Sequence, residues 1–176
     1  MQYSIQPAKI QDAEEISKLV NSAYRGESSR AGWTTEADYL DGQRTNTDII
    51  RAELSDPSKK VILCLREAAG HEILSCVLVE KIAPDECYLG MLTVKPTLQA
   101  KGIGRILLEA SEDFARKWGA KRMSLTVVHV RDTLMAWYER RGYERTLETR
   151  PFPYGDELFG LPKIEGLFFH VFTKDL

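Results

Sequence analysis

Val94-Lys95-Pro96-Thr97-Leu98-Gln99-Ala100-Lys101-Gly102-Ile103-Gly104-Arg105 carries the chain from an apolar run into a helix through a loop with two glycines. The run Tyr88 to Val94 reads as a buried strand that Lys95-Pro96 ends. Beyond the glycines, Ile103, Ile106, Leu107, Ala110, Phe114 and Trp118 recur at helical spacing, and Gly119 supplies the stop. A helix that begins at such a loop has first-turn N–H groups without intrahelical partners, at the positive end of its dipole. That combination is a ready anion site. Gly102 and Gly104 remove the side chains that would hold a phosphate off the backbone, and Lys101 and Arg105 add positive charge beside it. A Gly-x-Gly spacing alone can equally serve only to turn the chain. Two nucleotide motifs are excluded: a dinucleotide fingerprint needs a third glycine where Leu107 stands, and a P-loop needs Gly-Lys-Ser/Thr, which is absent.

On either side of this stretch the pattern is α/β. Tyr3 to Gln6 reads as a strand ended by Pro7, and Asp12 opens a helix with Ile16, Leu19, Val20 and Ala23 on one face. Arg25 to Asn46 is polar and broken by glycines, and Thr47 to Leu54 reads as a short helix. Val61 to Arg66 and Ile73 to Lys81 form a strand pair, with Ala68-Ala69-Gly70-His71 as the hairpin turn. After the long helix come a strand at Met123 to Val128, a helix at Asp132 to Arg141 stopped by Gly142, and strands at Tyr143 to Glu148 and Leu167 to Thr173. The long helix is a crossover, so the strands Tyr88–Val94 and Met123–Val128 are predicted to be parallel neighbours. Thr149 to Glu165, which holds Pro151, Pro153 and Pro162, is long for a connection and has the character of a binding wall or lid.

The 176 residues suit one domain spanning residues 1–176, and 43% hydrophobic composition can build a substantial core. The formal net charge of -2 and the lack of a polybasic run argue against nucleic acid and against an anionic membrane surface. Met1-Gln2-Tyr3-Ser4-Ile5 does not resemble a signal peptide, and no stretch is apolar enough to span a bilayer. Cys64, Cys76 and Cys87 are odd in number, fit no metal spacing and lie in strand-like segments, so they read as buried reduced thiols. A cytoplasmic protein without a metal site is the expectation.

The glycine loop resembles the acetyl-coenzyme A motif of the GNAT acetyltransferases, Gln/Arg-x-x-Gly-x-Gly/Ala, through Gln99, Gly102 and Gly104, with Val94 and Pro96 at the usual spacing before it. Ala136-Trp137-Tyr138-Glu139-Arg140-Arg141-Gly142-Tyr143 resembles the family's second signature, and Gly32-Trp33-Thr34-Thr35-Glu36-Ala37 is similar to a segment of some members. The resemblance implies a mixed, strongly twisted sheet of about seven strands, helices on both faces, and a splay between the fourth and fifth strands. It implies acetyl-coenzyme A as acyl donor and a primary amine of a small molecule or peptide as acceptor. Leu92 and Val94 would pair with the pantetheine arm. Gln99, Ala100, Lys101, Gly102, Ile103, Gly104 and Arg105 would hold the diphosphate. Tyr138 would be the catalytic acid. Where the family often has an asparagine, this chain has Arg131. The resemblance also allows a homodimer.

Acyl transfer to an amine needs a neutral amine, a stabilised oxyanion and a protonated leaving group. Leu92 N–H is the implied oxyanion donor. The base stays open among Glu86 and Asp85, the loop acids Glu36, Asp38 and Asp41, His129, and water. Ordinary solvated positions are the simpler reading for the acids. Trp33, Phe152, Tyr154 and Phe159 suggest an aromatic acceptor wall. The competing reading is a catalytically silent acyl-coenzyme A binding module. A toxin acetylating charged transfer RNA is a third, and the near-neutral charge weighs against it.

Overall fold

The computed structural model describes residues 3–68 and 71–176. The chain runs β1 (Tyr3–Pro7), α1 (Ala13–Tyr24), α2 (Gly26–Ser29), β2 (Leu40–Asp41), α3 (Thr47–Glu53), β3 (Lys60–Glu67), β4 (Ile73–Ala83) and β5 (Glu86–Val94). It continues through α4 (Ile103–Lys117), β6 (Arg122–Val128), α5 (Asp132–Glu139), β7 (Glu144–Pro151), β8 (Leu161–Pro162) and β9 (Phe168–Asp175). Seven strands form one mixed sheet in the order β1-β3-β4-β5-β6-β9-β7, as the α/β reading anticipates. Three elements were not visible in the sequence. The short helix α2 lies within the polar stretch, and β2 pairs with β8 in a separate two-stranded sheet that ties this stretch to the late loop. Of the hairpin expected at Ala68 to His71, Ala69 and Gly70 lie outside the described residues; the flanking strands pair antiparallel.

Strand alternation divides the core. Val61, Leu63 and Leu65 of β3 join α4 on one face, and Ile62 and Cys64 join α1 and Ile50 of α3 on the other. Helices therefore cover both faces. All three cysteines are buried and free. Burial pushes the Cys76 thiol up to about 12, which makes it unreactive.

Helix α4 buries a face rotated from the one its apolar period suggests. Ile103, Leu107, Leu108, Ser111, Glu112 and Ala115 are buried, whereas Ile106 is 38% exposed. Polar groups can occupy that face because each finds a partner. Ser111 Oγ donates to Leu107 O at 2.7 Å, and Glu112 accepts from Tyr143 Oη at 3.1 Å and from Lys174 Nζ at 2.7 Å.

The parallel contact of β5 with β6 lasts for three residue pairs, Glu86–Arg122, Cys87–Met123 and Tyr88–Ser124. Past Tyr88 the two strands part. On its other side β5 stays paired to β4 through a bulge: Cys76 faces Thr93 and Leu78 faces Gly90, so Met91 and Leu92 together oppose Val77. Met91 takes φ of 55°, in the left-handed region. A bulge bends and twists its strand, and here it turns the last residues of β5 away from β6. Strand β6 stays in register with β9 as far as Val128–Phe169. The splay expected between the fourth and fifth strands of the sequence reading is thus built by one bulge and one early end of pairing.

Leu107 is fully buried where α4 rests on the sheet, so this contact fixes the helix start that faces the gap. Leu107→Ala is expected to lower unfolding free energy by about 2–5 kcal/mol, read from urea unfolding followed by circular dichroism.

Candidate functional site

Two cavities open into the gap between β5 and β6. The first, of about 460 Å³, lies between the end of β5, the glycine loop and α5. The second, of about 410 Å³, lies on the side of β6, the late loop and Phe169 of β9. Tyr24, Leu92, Arg131, Leu134 and Tyr138 line both, and so mark the place where they meet. Tyr88 Oη and Thr126 Oγ1 hydrogen-bond across the base of the gap at 2.9 Å.

The first cavity is cationic. Its charged lining is Lys101, Arg105, Arg131 and Arg141, with no carboxylate. No side chain caps the N-terminus of α4, and no acid lies in its first turn. Ala100 has φ of 61° and Gly102 φ of 84°. Left-handed residues set among right-handed ones turn successive amides toward one concavity. At residue 102 a Cβ would meet no atom of the protein within 4 Å, so crowding inside the chain does not require glycine there. The left-handed backbone is the reason. At Gly104 the reason is reversed. A Cβ would stand 3.4 Å from Val94 Cγ2 and 3.7 Å from Trp137 Cζ2, in ordinary contact, but a larger side chain would fill the channel. Ile103 turns its side chain into the core and is 2% exposed, so only its backbone can serve the site. Arg141 lies over the Trp137 ring, 3.6 Å from its centroid, and leaves its buried Nε without a partner.

Gln99 acts as a strap. Its Nε2 donates to Val94 O at 3.2 Å and its Oε1 accepts from Trp33 N–H at 3.0 Å. A Cβ at Gly32 would collide with this amide, which gives Gly32 a physical role. Along β5, Lys95 N–H bonds Leu74 O of β4 and Thr93 O accepts from Ser75 Oγ of β4. By alternation, Leu92 and Val94 present their N–H and C=O groups to the opposite edge, the open gap. Leu92 O there accepts from Tyr24 Oη at 3.0 Å.

At the junction Tyr138 is 6% exposed and packs edge-to-face on Trp137 and Tyr143. Burial holds its phenol well above the usual tyrosine range. Burial likewise raises Tyr24, against the opposing pull of Arg44 and Arg131. Arg131 takes the place of the expected asparagine and forms a buried ion cluster. It donates to Glu36 Oε1 at 3.0 Å and to Thr34 Oγ1 at 2.8 Å, while Arg25 donates to the other oxygen of Glu36. Arg25 also reaches Phe159 O at 3.1 Å, which ties the late loop to the end of α1.

The base candidates from the sequence do not gather here. Glu86 and Asp85 lie at the far, paired end of β5. Asp38 pairs with Arg30, and Asp41 with Lys163. His129 stacks on Phe168 at 4.2 Å and accepts from Phe168 N–H at 3.4 Å. Only Glu36 lines a cavity, with both oxygens engaged. Of the aromatic residues, Phe152 and Phe159 line the second cavity, joined by Phe169, whereas Trp33 lines the first. Tyr154 Oη instead bonds Ile164 O and Leu167 N–H. Sequence reasoning missed Tyr24 and the Arg25–Glu36–Arg131 cluster. The helical period that buries Val20 and Ala23 places Tyr24 at the helix end, but no local signal pairs charges so far apart in the chain. Among the described residues, no group of three His, Cys, Asp or Glu side chains could hold a metal, and no helix is long and apolar enough to cross a membrane.

The family model for the acetyltransferase (GNAT) family matches residues 12–143. Among solved structures, the chain is similar to the ribosomal-protein-S18-alanine N-acetyltransferase of Escherichia coli, with TM-score 0.71 and 16% identity over 99% of this chain and 94% of that one. It is similar to an N-acetyltransferase of Staphylococcus aureus Mu50, with TM-score 0.71 and 15% identity over 99% and 98% of the two chains. The GNAT domain of S. lividans PAT gives TM-score 0.68 and 18% identity over 98% and 89%. These structures share the fold. No curated protein sequence matches the chain.

The two glycines should respond differently to substitution. Gly104→Ala is expected to keep ligand affinity within about threefold and to raise stability by about 0.5–1 kcal/mol, as alanine replaces glycine in a helix. Gly104→Leu should retain the fold and lose coenzyme A binding by at least about tenfold, a binding loss of 1.4 kcal/mol or more. Isothermal calorimetry and thermal melts of the two variants check this.

Proposed function

We propose, for a chain that belongs to the acetyltransferase (GNAT) family, that it moves an acetyl group from acetyl-coenzyme A to a primary amine by direct attack. The observation that carries the reading is the cation-only first cavity, which runs from uncapped helix amides to a buried tyrosine. Residues 1–176 are taken as one such domain, since the seven strands of the main sheet run from β1 at Tyr3 to β9 at Asp175. A cytoplasmic site is proposed on the three buried free thiols.

The amides from Ala100 to Arg105 suit the diphosphate, with Lys101, Arg105 and Arg141 as counter-charge. The edge of β5 at Leu92 and Val94 suits the amide-bearing pantetheine arm, which would add to β5 as a strand would. Bound there, acetyl-coenzyme A supplies an activated thioester. Leu92 N–H then faces the developing oxyanion, where a fixed donor is worth most. Tyr138 gives its hydroxyl proton to the departing thiolate and regains one from the attacking nitrogen as the amide forms. Its high pKa keeps the proton in place until that charge appears, and also limits the benefit, because ordinary thiols near ~8.5 are stronger acids than a phenol near ~10.

Among the described residues, no free carboxylate or imidazole lines the junction to act as base. The amine is made neutral by its surroundings instead. Arg25, Arg44 and Arg131 outnumber Glu36 around the second cavity, and positive neighbours together with desolvation lower an ammonium pKa. A lysine-like amine near ~10.4 is neutral in about one molecule per thousand at pH 7, and each unit of depression gains tenfold. The proton leaves to cavity water.

The test is thiol release from acetyl-coenzyme A across a panel of primary amines, with calorimetry of coenzyme A binding. Turnover supports the transferase. Binding with no turnover on any amine supports the silent module. Tyr138→Phe is expected to lower kcat by about 10²–10⁴, the usual span for a general acid, with coenzyme A affinity unchanged. A fully active variant would remove Tyr138 from this role.

A further inference from the structure

We infer that the acceptor is a small amine carrying a carboxylate one or two carbons from its amino group: an α- or β-amino acid with an apolar or aromatic side chain. This rests on the acyl-transfer reading above and names the substrate class of the same site.

The second cavity has the wrong charge for a cationic acceptor. Its charged lining is Arg25, Arg44, Arg131, Arg150 and Glu36. Glu36 is 5% exposed and held on both oxygens, so it has nothing left to offer an ammonium group. Arg150 lies at the rim, 48% exposed and paired with Glu148. Arg25 is engaged by Glu36 and by Phe159 O, which leaves Arg44 and Arg131. Arg44 makes no ion pair among the described residues, and its guanidinium lies over the Tyr24 ring at 5.5 Å. The Arg131 guanidinium lies 5.9 Å from the same ring centroid, and its buried Nε has no partner. The unpaired Arg44 guanidinium and the positive charge of Arg131 beside one ring suit a carboxylate, which accepts at both oxygens.

Position sets the spacing. The Tyr24 hydroxyl bonds Leu92 O, beside the proposed oxyanion donor, while the arginines flank the ring of the same side chain. The reacting amine and the anion are therefore about one phenol ring apart. An amino acid meets that separation. A lysine side chain in a folded protein and a peptide N-terminus carry no carboxylate there. Phe152, Phe159 and Phe169, with Leu125 and Val127, supply an apolar wall for the side chain.

The experiment compares matched pairs with and without the carboxylate, L-phenylalanine against phenethylamine and L-leucine against 3-methylbutylamine. Thiol release from acetyl-coenzyme A gives kcat/KM for each. The carboxylate-bearing member should be favoured by about 10- to 100-fold, the range of hydrogen bonds to a charged group. Arg44→Gln should collapse that ratio toward one, mainly through KM. Preference for the carboxylate-free member, or a ratio unchanged in Arg44→Gln, would overturn the inference while leaving the transferase reading intact. Calorimetry of coenzyme A on the same preparations separates the two. Absence of binding overturns the acyl-transfer reading itself, and binding without turnover of any member counts against both.

Discussion

Two parallel strands that stop pairing after Tyr88 make the rest of the molecule possible. A continued ladder would satisfy the backbone of Leu92 and Val94 within the sheet and leave no gap. The bulge at Met91–Leu92 instead keeps β5 on β4 while releasing its other edge. Released edges are a hazard in most proteins because they invite pairing. Here α1 covers one carbonyl through Tyr24, Gln99 covers the other, and the amides stay directed into a cleft. The same edge that could recruit a strand can recruit an extended ligand.

Electrostatics then divide the cleft. The glycine loop and α5 give the first cavity positive charge without a single carboxylate. The second cavity concentrates arginine around one engaged glutamate. Burying Arg25, Glu36 and Arg131 together carries a desolvation penalty that the ion pairs only partly offset. What the cluster provides is position. It joins the end of α1, the Thr34–Glu36 segment, the start of α5 and, through Phe159 O, the late loop. Removing one member would leave charge stranded in the interior and loosen the wall of the second cavity.

Much of this was legible in the sequence, for definite reasons. Strand and helix periods are local, so the seven main strands and the crossover helix could be read from residue spacing. The passage from Val94 to Arg105 was legible as strand, loop and helix, and the helix start is uncapped beside Lys101 and Arg105. Several features were hidden because they depend on partners distant in the chain. Glu112 is buried on α4 only because Tyr143 and Lys174 come to meet it. Leu40–Asp41 is a strand only because Leu161–Pro162 lies beside it. Gln99 lines the first cavity, and the part of its amide in joining Trp33 N–H to Val94 O depends on a segment far away in the chain. The ion cluster spans residues 25 to 131 and leaves no mark on local composition.

The central claim is that uncapped amides at the start of α4, with Lys101, Arg105 and Arg141, hold a diphosphate. Calorimetry comparing coenzyme A with pantetheine, which keeps the arm and lacks the phosphates, tests it most directly. The account predicts that coenzyme A binds at least about a hundredfold more tightly, equivalent to about 2.8 kcal/mol, with an advantage that shrinks as salt rises. Equal affinity for the two, or no binding of coenzyme A, would contradict it.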